Sequence, residues 1–385
     1  MRRAKFTSAI AAMLLVFAAL FAGGCSAADS ANSSAVSSSG NATASSSSAT
    51  AKSTSVAASS SVLQDSSFKV TFIDVGQGDA AVVSCDGHNM IIDGGTPEAS
   101  QTMYTWCKKN NITEADYVVA THPDSDHAGG LCGALQVATA KRAFCSTTDD
   151  TGKAYQSMER TLNSQGVSVE VPAAGDTFSL GSATVQVVGP TRPAPDGEDN
   201  NNSLVLRVSY GDTSFLFAGD AMEDEERDVT DSGYELDSTV LKVGHHGSSG
   251  SSTTSFLRAV SPQYAVISVG KNSYGHQTES ALARLKNRGA EIFRTDLQGD
   301  ITMASDGEAV QIAVDKNVEA NTGESALRAL QASTADGAYY IGNLSSHKFH
   351  ASACRGLPKE GNRVYFNSRD EAISAGYDPC GICKP

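Results

Sequence analysis

Thr121-His122-Pro123-Asp124-Ser125-Asp126-His127-Ala128-Gly129-Gly130 follows directly on an apolar run that begins at Ala115. The run reads as a strand, so the stretch after it is a loop at a strand end, where side chains can turn inward without breaking a ladder. It offers two imidazoles and two carboxylates within six residues, the donor types that zinc, manganese and iron accept. Polar residues decorating a solvent loop would rarely reach this ligand density. His122, Asp124, Asp126 and His127 are therefore candidate metal ligands, and further ligands should lie downstream.

Working outward, the chain alternates short apolar runs with turn signals. Lys69 to Asp74, Ala80 to Ser84 and Asn89 to Asp93 read as strands, with turns at Gly76-Gln77-Gly78 and Asp86-Gly87. A short helix is expected at Met103 to Lys109. Ser203 to Tyr210 and Ser214 to Ala218 flank Gly211-Asp212, a hairpin signal. Strands at Ser238 to Val243 and Tyr264 to Val269, a helix at Glu279 to Arg288, and strands at Ile292 to Arg294 and Ala309 to Val314 complete the run. Many strands with interspersed helices indicate a layered α/β or α+β domain of about 250 residues.

His-x-Asp-x-Asp-His resembles the His-x-His-x-Asp-His signature of the metallo-β-lactamase superfamily, and the likeness extends over 68–315. Within that superfamily it most resembles the hydrolase domain of the ComEC family of DNA-uptake proteins. The matching segments are Asp74 to Asp79, Asp93-Gly94-Gly95, Thr121 to Gly130, Asn202 to Arg207, Phe217 to Asp220, Leu241 to Ser248 and Ser268 to His276. The resemblance implies an α+β, four-layer αββα fold and a site for two divalent metal ions, Zn or Mn. It places His122 and Asp124 on one metal and Asp126 and His127 on the other. Asp220 would bridge, and either His245 or His246 would complete the second site. Asp79 and Asp93 are expected behind the ligands, orienting the histidines. Asp126 would also orient the attacking hydroxide, and His276 and Lys242 are catalytic candidates. Lys242 reads equally as a phosphate contact or a solvent-facing strand residue.

Two departures matter. Asp124 stands where the superfamily's common pattern has His, a replacement that ComEC-like members share. The His usually found between the cluster and the bridging Asp has no counterpart, and Asn202-Ser203 occupy that region. An oxygen-rich first site shifts preference towards manganese.

The termini add a location. Arg2, Arg3 and Lys5 precede an apolar run from Ala9 to Ala22, and Gly23-Gly24-Cys25 follows. This resembles a bacterial lipoprotein signal over 1–25, with Cys25 lipidated. Residues 26–67 are almost entirely small and polar, too poor in apolar groups to offset their ordering entropy. Such a tether spans on the order of 35 Å. The expected location is the extracellular face of the cell membrane, through a lipid anchor. Cys85, Cys107, Cys132 and Cys145 could be paired in one of three ways or be free and buried; sequence does not choose, and the free, buried reading is favoured because small, hydrophobic-like cysteine is common in cores.

After a polar linker at 316–337, residues 338–385 form a small module. His350-x-x-x-Cys354 and Cys380-x-x-Cys383 give two ligand pairs about 26 residues apart, a structural zinc pattern in a domain small enough to need a staple. The stretch resembles the zinc-binding module of the Ada DNA-repair family, with His350 at the first of four Cys positions. It carries six Lys/Arg against four Asp/Glu on a chain of net charge −14. An acidic chain is not steered towards nucleic acid as a whole, so local patches or metals must hold such a substrate.

The expectation is thus an extracellular, lipid-anchored binuclear-metal hydrolase acting on DNA or another phosphodiester. Alternatives are a small-molecule or cell-wall phosphodiesterase of the phosphorylcholine esterase type, a β-lactamase, and a non-catalytic surface binding protein.

Overall fold

The computed structural model describes residues 66–194 and 200–316, and all of 340–385 except 344, 352–353, 360–361, 367–368 and 375–376. The signal segment with Cys25, the tether as far as 65 and the linker 317–337 lie outside the described residues. Among those described, no helix is long and apolar enough to cross a membrane.

Fifteen strands form two sheets. In the first are β1 (Phe68–Phe72), β2 (Ala81–Cys85), β3 (His88–Ile92), β4 (Glu114–Ala120), β5 (Thr139–Cys145), β6 (Val169–Glu170), β14 (Ile301–Ser305) and β15 (Val310–Val314). Their order is β15-β14-β1-β2-β3-β4-β5-β6. The second holds β7 (Thr177–Leu180), β8 (Ala183–Gly189), β9 (Val205–Tyr210), β10 (Thr213–Phe217), β11 (Val240–Lys242), β12 (Tyr264–Ile267) and β13 (Glu291–Arg294). Their order is β13-β12-β11-β10-β9-β8-β7.

Alternation along the strands explains the layering. Phe68, Val70 and Phe72 of β1 point inward and meet Val185, Val187, Phe215 and Phe217 in the core between the sheets. The opposite faces are apolar too, and helices cover them. Helices α1 (Ser100–Lys109), α2 (Ser125–Ala128), α3 (Leu131–Leu135) and α4 (Lys153–Ser164) lie on the first sheet. Helices α5 (Glu223–Asp231), α6 (Thr254–Val260) and α7 (Glu279–Arg288) lie on the second, followed by the short α8 (Thr295–Gln298). The result is the four-layer αββα arrangement.

Half of each sheet is parallel: β3-β4-β5-β6 in the first and β10-β11-β12-β13 in the second. Parallel strands deliver their outgoing loops to one edge, where open α/β sheets place their ligands. Here Asp93 follows β3, the His122–His127 loop follows β4, Asp220 follows β10 and the His245-His246 pair follows β11.

The loops are stitched by backbone bonds: Asp79 N–H to Asp126 O (3.1 Å), Gly94 N–H to His127 O (2.8 Å), and Gly130 N–H to Gly95 O (2.8 Å). These contacts require glycine. A Cβ on Gly130 would be driven into Gly94 O, and one on Gly78, already at φ +127°, would sit 2.5 Å from Asp126 O. Gly130→Ala should therefore lower stability by about 2–4 kcal/mol through forced separation of the two loops. A drop in thermal midpoint, measured by circular dichroism, checks this.

The C-terminal module has its own sheet, β18-β16-β17-β19, from β16 (Tyr340–Asn343), β17 (Lys348–Ala351), β18 (Arg363–Phe366) and β19 (Asp378–Pro379), with helix α9 (Arg369–Ser374). Its core is small: Phe349, Val364, Phe366, Ala372 and Tyr377. Strand β18 packs against α7 of the main domain.

Candidate metal centre

The edge where the two sheets' loops meet gathers His122, His127, Asp126, Asp220 and His246. His127 Nε2 lies 3.2 Å from Asp220 Oδ1. His246 Nε2 lies 3.2 Å from Asp126 Oδ2 and 3.4 Å from Asp220 Oδ2. His122 Nε2 lies 3.7 Å from Asp124 Oδ2, and the His122 and His127 rings are 4.1 Å apart. Ligand atoms of His122, His127 and Asp220 fall within 4.8 Å of one another, as do those of Asp126, His127 and His246.

These atoms are buried yet meet no aligned hydrogen-bond partner: His122 Nε2, His127 Nε2, His246 Nε2 and Asp220 Oδ1. A buried polar atom without a partner costs about 1–3 kcal/mol, and four converging on one point demand an explanation. Divalent cations supply it, because neutral imidazole nitrogens and carboxylate oxygens are their donors.

The electrostatics agree. Burial pulls the His127 imidazole down, but Asp220 and Asp93 outweigh it and hold it well above the usual histidine range. Burial likewise opposes and Asp220 and Asp79 raise His246. Asp220 is held well below the carboxylate range: burial would raise it, but the charges of His127 and His246 prevail. The same carboxylates that hold protons on these imidazoles would hold a cation between them.

Behind the ligands stand two further carboxylates. Asp93 Oδ2 faces His127 Nδ1 at 3.0 Å and accepts from the Thr121 hydroxyl at 2.9 Å, while its Oδ1 accepts from Thr121 N–H at 2.7 Å. That leaves His127 Nε2 free to ligate. Asp79 Oδ1 faces His246 Nδ1 at 3.1 Å, beside Ser268 O at 3.0 Å. Ser203, which sequence reasoning noted only as a replacement, donates neither a charge nor a ring. Its hydroxyl accepts from Asp220 N–H at 3.0 Å and lies 3.5 Å from His122 Nδ1.

The two histidines of the pair separate. His246 is buried and aimed at Asp126 and Asp220, whereas His245 keeps a partly open side chain with Nε2 3.8 Å from Asp220 Oδ2. Both sit in the left-handed region, at φ 46° and 51°, costing about 1–2 kcal/mol each. Such strain persists where surroundings over-determine it; here His245 N–H is held by Gly219 O at 3.1 Å. His276 joins the site's rim, its ring 4.8 Å from that of His245. Burial pushes His276 down to about 4, with the nearby His245 and His246 adding to the effect.

Lys242 requires a correction. It is neither a phosphate contact nor a solvent-facing residue. It is buried, with Nζ 2.6 Å from Asp79 Oδ2 and donating to Val243 O at 2.8 Å. The strand turns this side chain inward, so its charge compensates Asp79 and does not reach the site's mouth.

In the tail, ligand atoms of His350, Cys354, Cys380 and Cys383 lie within 4.8 Å of one another. Tetrahedral zinc with thiolates at 2.3 Å separates sulfurs by about 3.8 Å, so small closure completes a site. The described cysteines are all free, Cys85, Cys107 and Cys145 are buried, and Cys132 is half-buried.

The sequence profile described as "Metallo-beta-lactamase superfamily" matches residues 73–271, more than half of the 385 residues. This chain belongs to the metallo-β-lactamase superfamily. Among curated relatives, "ComE operon protein 3" of Bacillus subtilis is 30% identical over 262 residues, covering 61% of this chain and 33% of the relative. "Competence protein ComA" of Neisseria gonorrhoeae is 33% identical over 233 residues, covering 60% and 31%. The chain spans about a third of the length of these relatives. Among solved structures, the metallo-beta-lactamase fold protein YhfI from Bacillus subtilis matches with a TM-score of 0.39 at 10% identity, covering 59% of this chain and 97% of that one. The "Metal binding domain of Ada" matches residues 325–385, beginning earlier than the expected start at 338. The superfamily implies divalent metals in the main domain, and the Ada-type domain implies zinc in the tail.

Within this superfamily chain, the role of Lys242 separates two outcomes. Lys242→Met would leave Asp79 buried without its counter-charge, so stability should fall by about 3–5 kcal/mol. A denaturant titration checks this. A residue contacting substrate would instead raise KM and leave the midpoint unchanged.

Proposed function

We propose that the chain is a binuclear-metal phosphodiesterase that cuts DNA outside the cell, held at the membrane surface by a lipid on Cys25. The observation that carries the catalytic part is the convergence of unpartnered, buried imidazole and carboxylate atoms around Asp220. The DNA part is supported by the competence relatives. The anchor is supported by the leader and tether sequences.

In this reading His122 and Asp124 would hold one ion, Asp126, His127 and His246 would hold the other, and Asp220 would serve both. Two divalent ions supply an activated water and charge stabilisation on the attacked phosphate. The chain's residues do the rest. Asp93 and Asp79 fix the tautomers of His127 and His246. Asp126 keeps 27% of its side chain accessible, so it can orient the attacking water, take its proton and return it to the leaving oxygen. His276 is neutral near pH 7 and stands at the rim as a hydrogen-bond donor to a phosphoryl oxygen.

Purified protein incubated with single- and double-stranded DNA in manganese or zinc should cleave it. Asp126→Ala and Asp220→Ala should each lower kcat by at least about 10³-fold, in the range expected when a group acting directly on the reacting atoms is lost. Equal cleavage by these variants, or none by the native chain, would overturn the reading. Elemental analysis should find three metal ions per chain, and Cys380→Ser should lose the one in the tail while retaining the two in the main domain.

A further inference from the structure

Four arginines line one cleft of about 300 Å³ where the zinc module meets the main domain: Arg258 from α6, Arg284 and Arg288 from α7, and Arg363 from β18. Among the described residues the rest of the lining is Thr254, Leu257 and Asn287, with no carboxylate. This is unexpected on a chain of net charge −14. Of the arginines outside it, Arg142 pairs with Glu170, Arg192 with Asp228, Arg227 with Asp224 and Arg294 with Asp296. Among the described residues none of the four cleft arginines forms an ion pair.

Their hydrogen bonding leaves donors over. Arg284 is fixed by the carbonyls of Ser249, Ser251 and Ser252. Arg288 donates to the Ser261 hydroxyl at 2.5 Å, and Arg363 donates through Nε to Pro358 O at 2.8 Å. Each guanidinium carries five N–H donors in a planar fork. Uncommitted N–H donors on guanidinium groups that form no ion pair match phosphate oxygens, which arginine engages in pairs.

The cleft is also joined to the metal centre. Helix α7 is capped by Thr278, whose hydroxyl donates to Gly247 O at 3.1 Å, immediately after His246. The loop that Arg284 grips, Ser249 to Ser252, is the continuation of the histidine pair. From Glu279 to Arg288 the helix axis advances about 14 Å, roughly four nucleotides of a B-form strand at about 3.4 Å each.

We propose that this arginine cleft binds the phosphodiester backbone of the nucleic-acid strand being cut, several nucleotides from the scissile bond. The proposal rests on the DNA reading above. The zinc module then contributes one wall of the site through Arg363, and its docking on α7 assembles the cleft.

The test uses the full chain in an Asp126→Ala background, so that binding is measured without cleavage. Fluorescence anisotropy is recorded with labelled 12-nucleotide and 3-nucleotide single strands, and with vesicles of anionic phospholipid. Arg258 and Arg288 are exposed, so Arg258→Gln/Arg288→Gln should fold normally. Expected are about tenfold weaker binding of the 12-mer and a salt slope reduced by about 1.4, at about 0.7 per lost phosphate contact. Binding of the 3-mer, too short to reach the cleft from the metal centre, should not change. With Asp126 restored, hydrolysis of bis-p-nitrophenyl phosphate should also be unchanged. Unaltered 12-mer affinity and slope in the double variant would overturn the cleft and leave the nuclease reading intact. No oligonucleotide binding by the parent chain would overturn both. Loss of vesicle binding with oligonucleotide binding retained would assign the cleft to lipid headgroups and also overturn the proposal.

Discussion

The arrangement depends on one electrostatic constraint: a buried carboxylate, Asp220, faced by the Nε2 atoms of two buried imidazoles whose Nδ1 atoms are held by Asp93 and Asp79. His127 Nε2 and His246 Nε2 both point at it, at 3.2 and 3.4 Å. In a low-dielectric site such a group is costly unless positive charge sits among its oxygens. Much of the surrounding architecture holds these three side chains in register. Parallel strands from both sheets deliver them to one edge, and glycines let the loops touch there.

The constraint propagates outward. Asp93 and Asp79 hold the far nitrogens of the two histidines, and each needs its own compensation. Asp93 receives it from the amide and hydroxyl of Thr121. Asp79 receives it from Lys242, a full positive charge buried under the site. The left-handed backbone at His245 and His246 belongs to the same account: it accompanies a His246 turned inward and a neighbour left at the rim. The serine-rich loop that follows is gripped by Arg284, on the helix against which the zinc module packs. The metal centre and the tail are thereby mechanically connected.

Much of the fold was legible because local patterns carry it. Strands β1 to β4 and β9 to β12 show alternating or continuous apolar runs bounded by glycine turns, and α7 shows a clear helical period with Thr278 as its cap. Other elements were not recognised. The β7–β8 hairpin has a usable signal, two apolar-alternating runs around Gly181-Ser182, that sequence reasoning passed over. Helix α5 offered no such signal. Two of its three buried residues are Glu225 and Glu226, so hydrophobic periodicity cannot find it. Glu226 is buried because it accepts from the backbone N–H groups of Ser252 and Thr253, a bond to a distant loop.

The sequence by itself determined the donor chemistry: the ligand types clustered at His122–His127, the Asp220 and His245-His246 segments, and the His/Cys spacing of the tail. These are read locally, from residues a few positions apart or from recurring short segments. Only the tertiary structure decided which histidine of the pair faces Asp220, that Lys242 serves Asp79 and not a substrate, and that four arginines from three elements share one cleft. The physical reason is that direction and partnership are properties of non-local packing. A β-strand presents alternate faces, a left-handed residue reverses the chain, and a charge acquires its role from whatever the fold brings within a few ångströms of it.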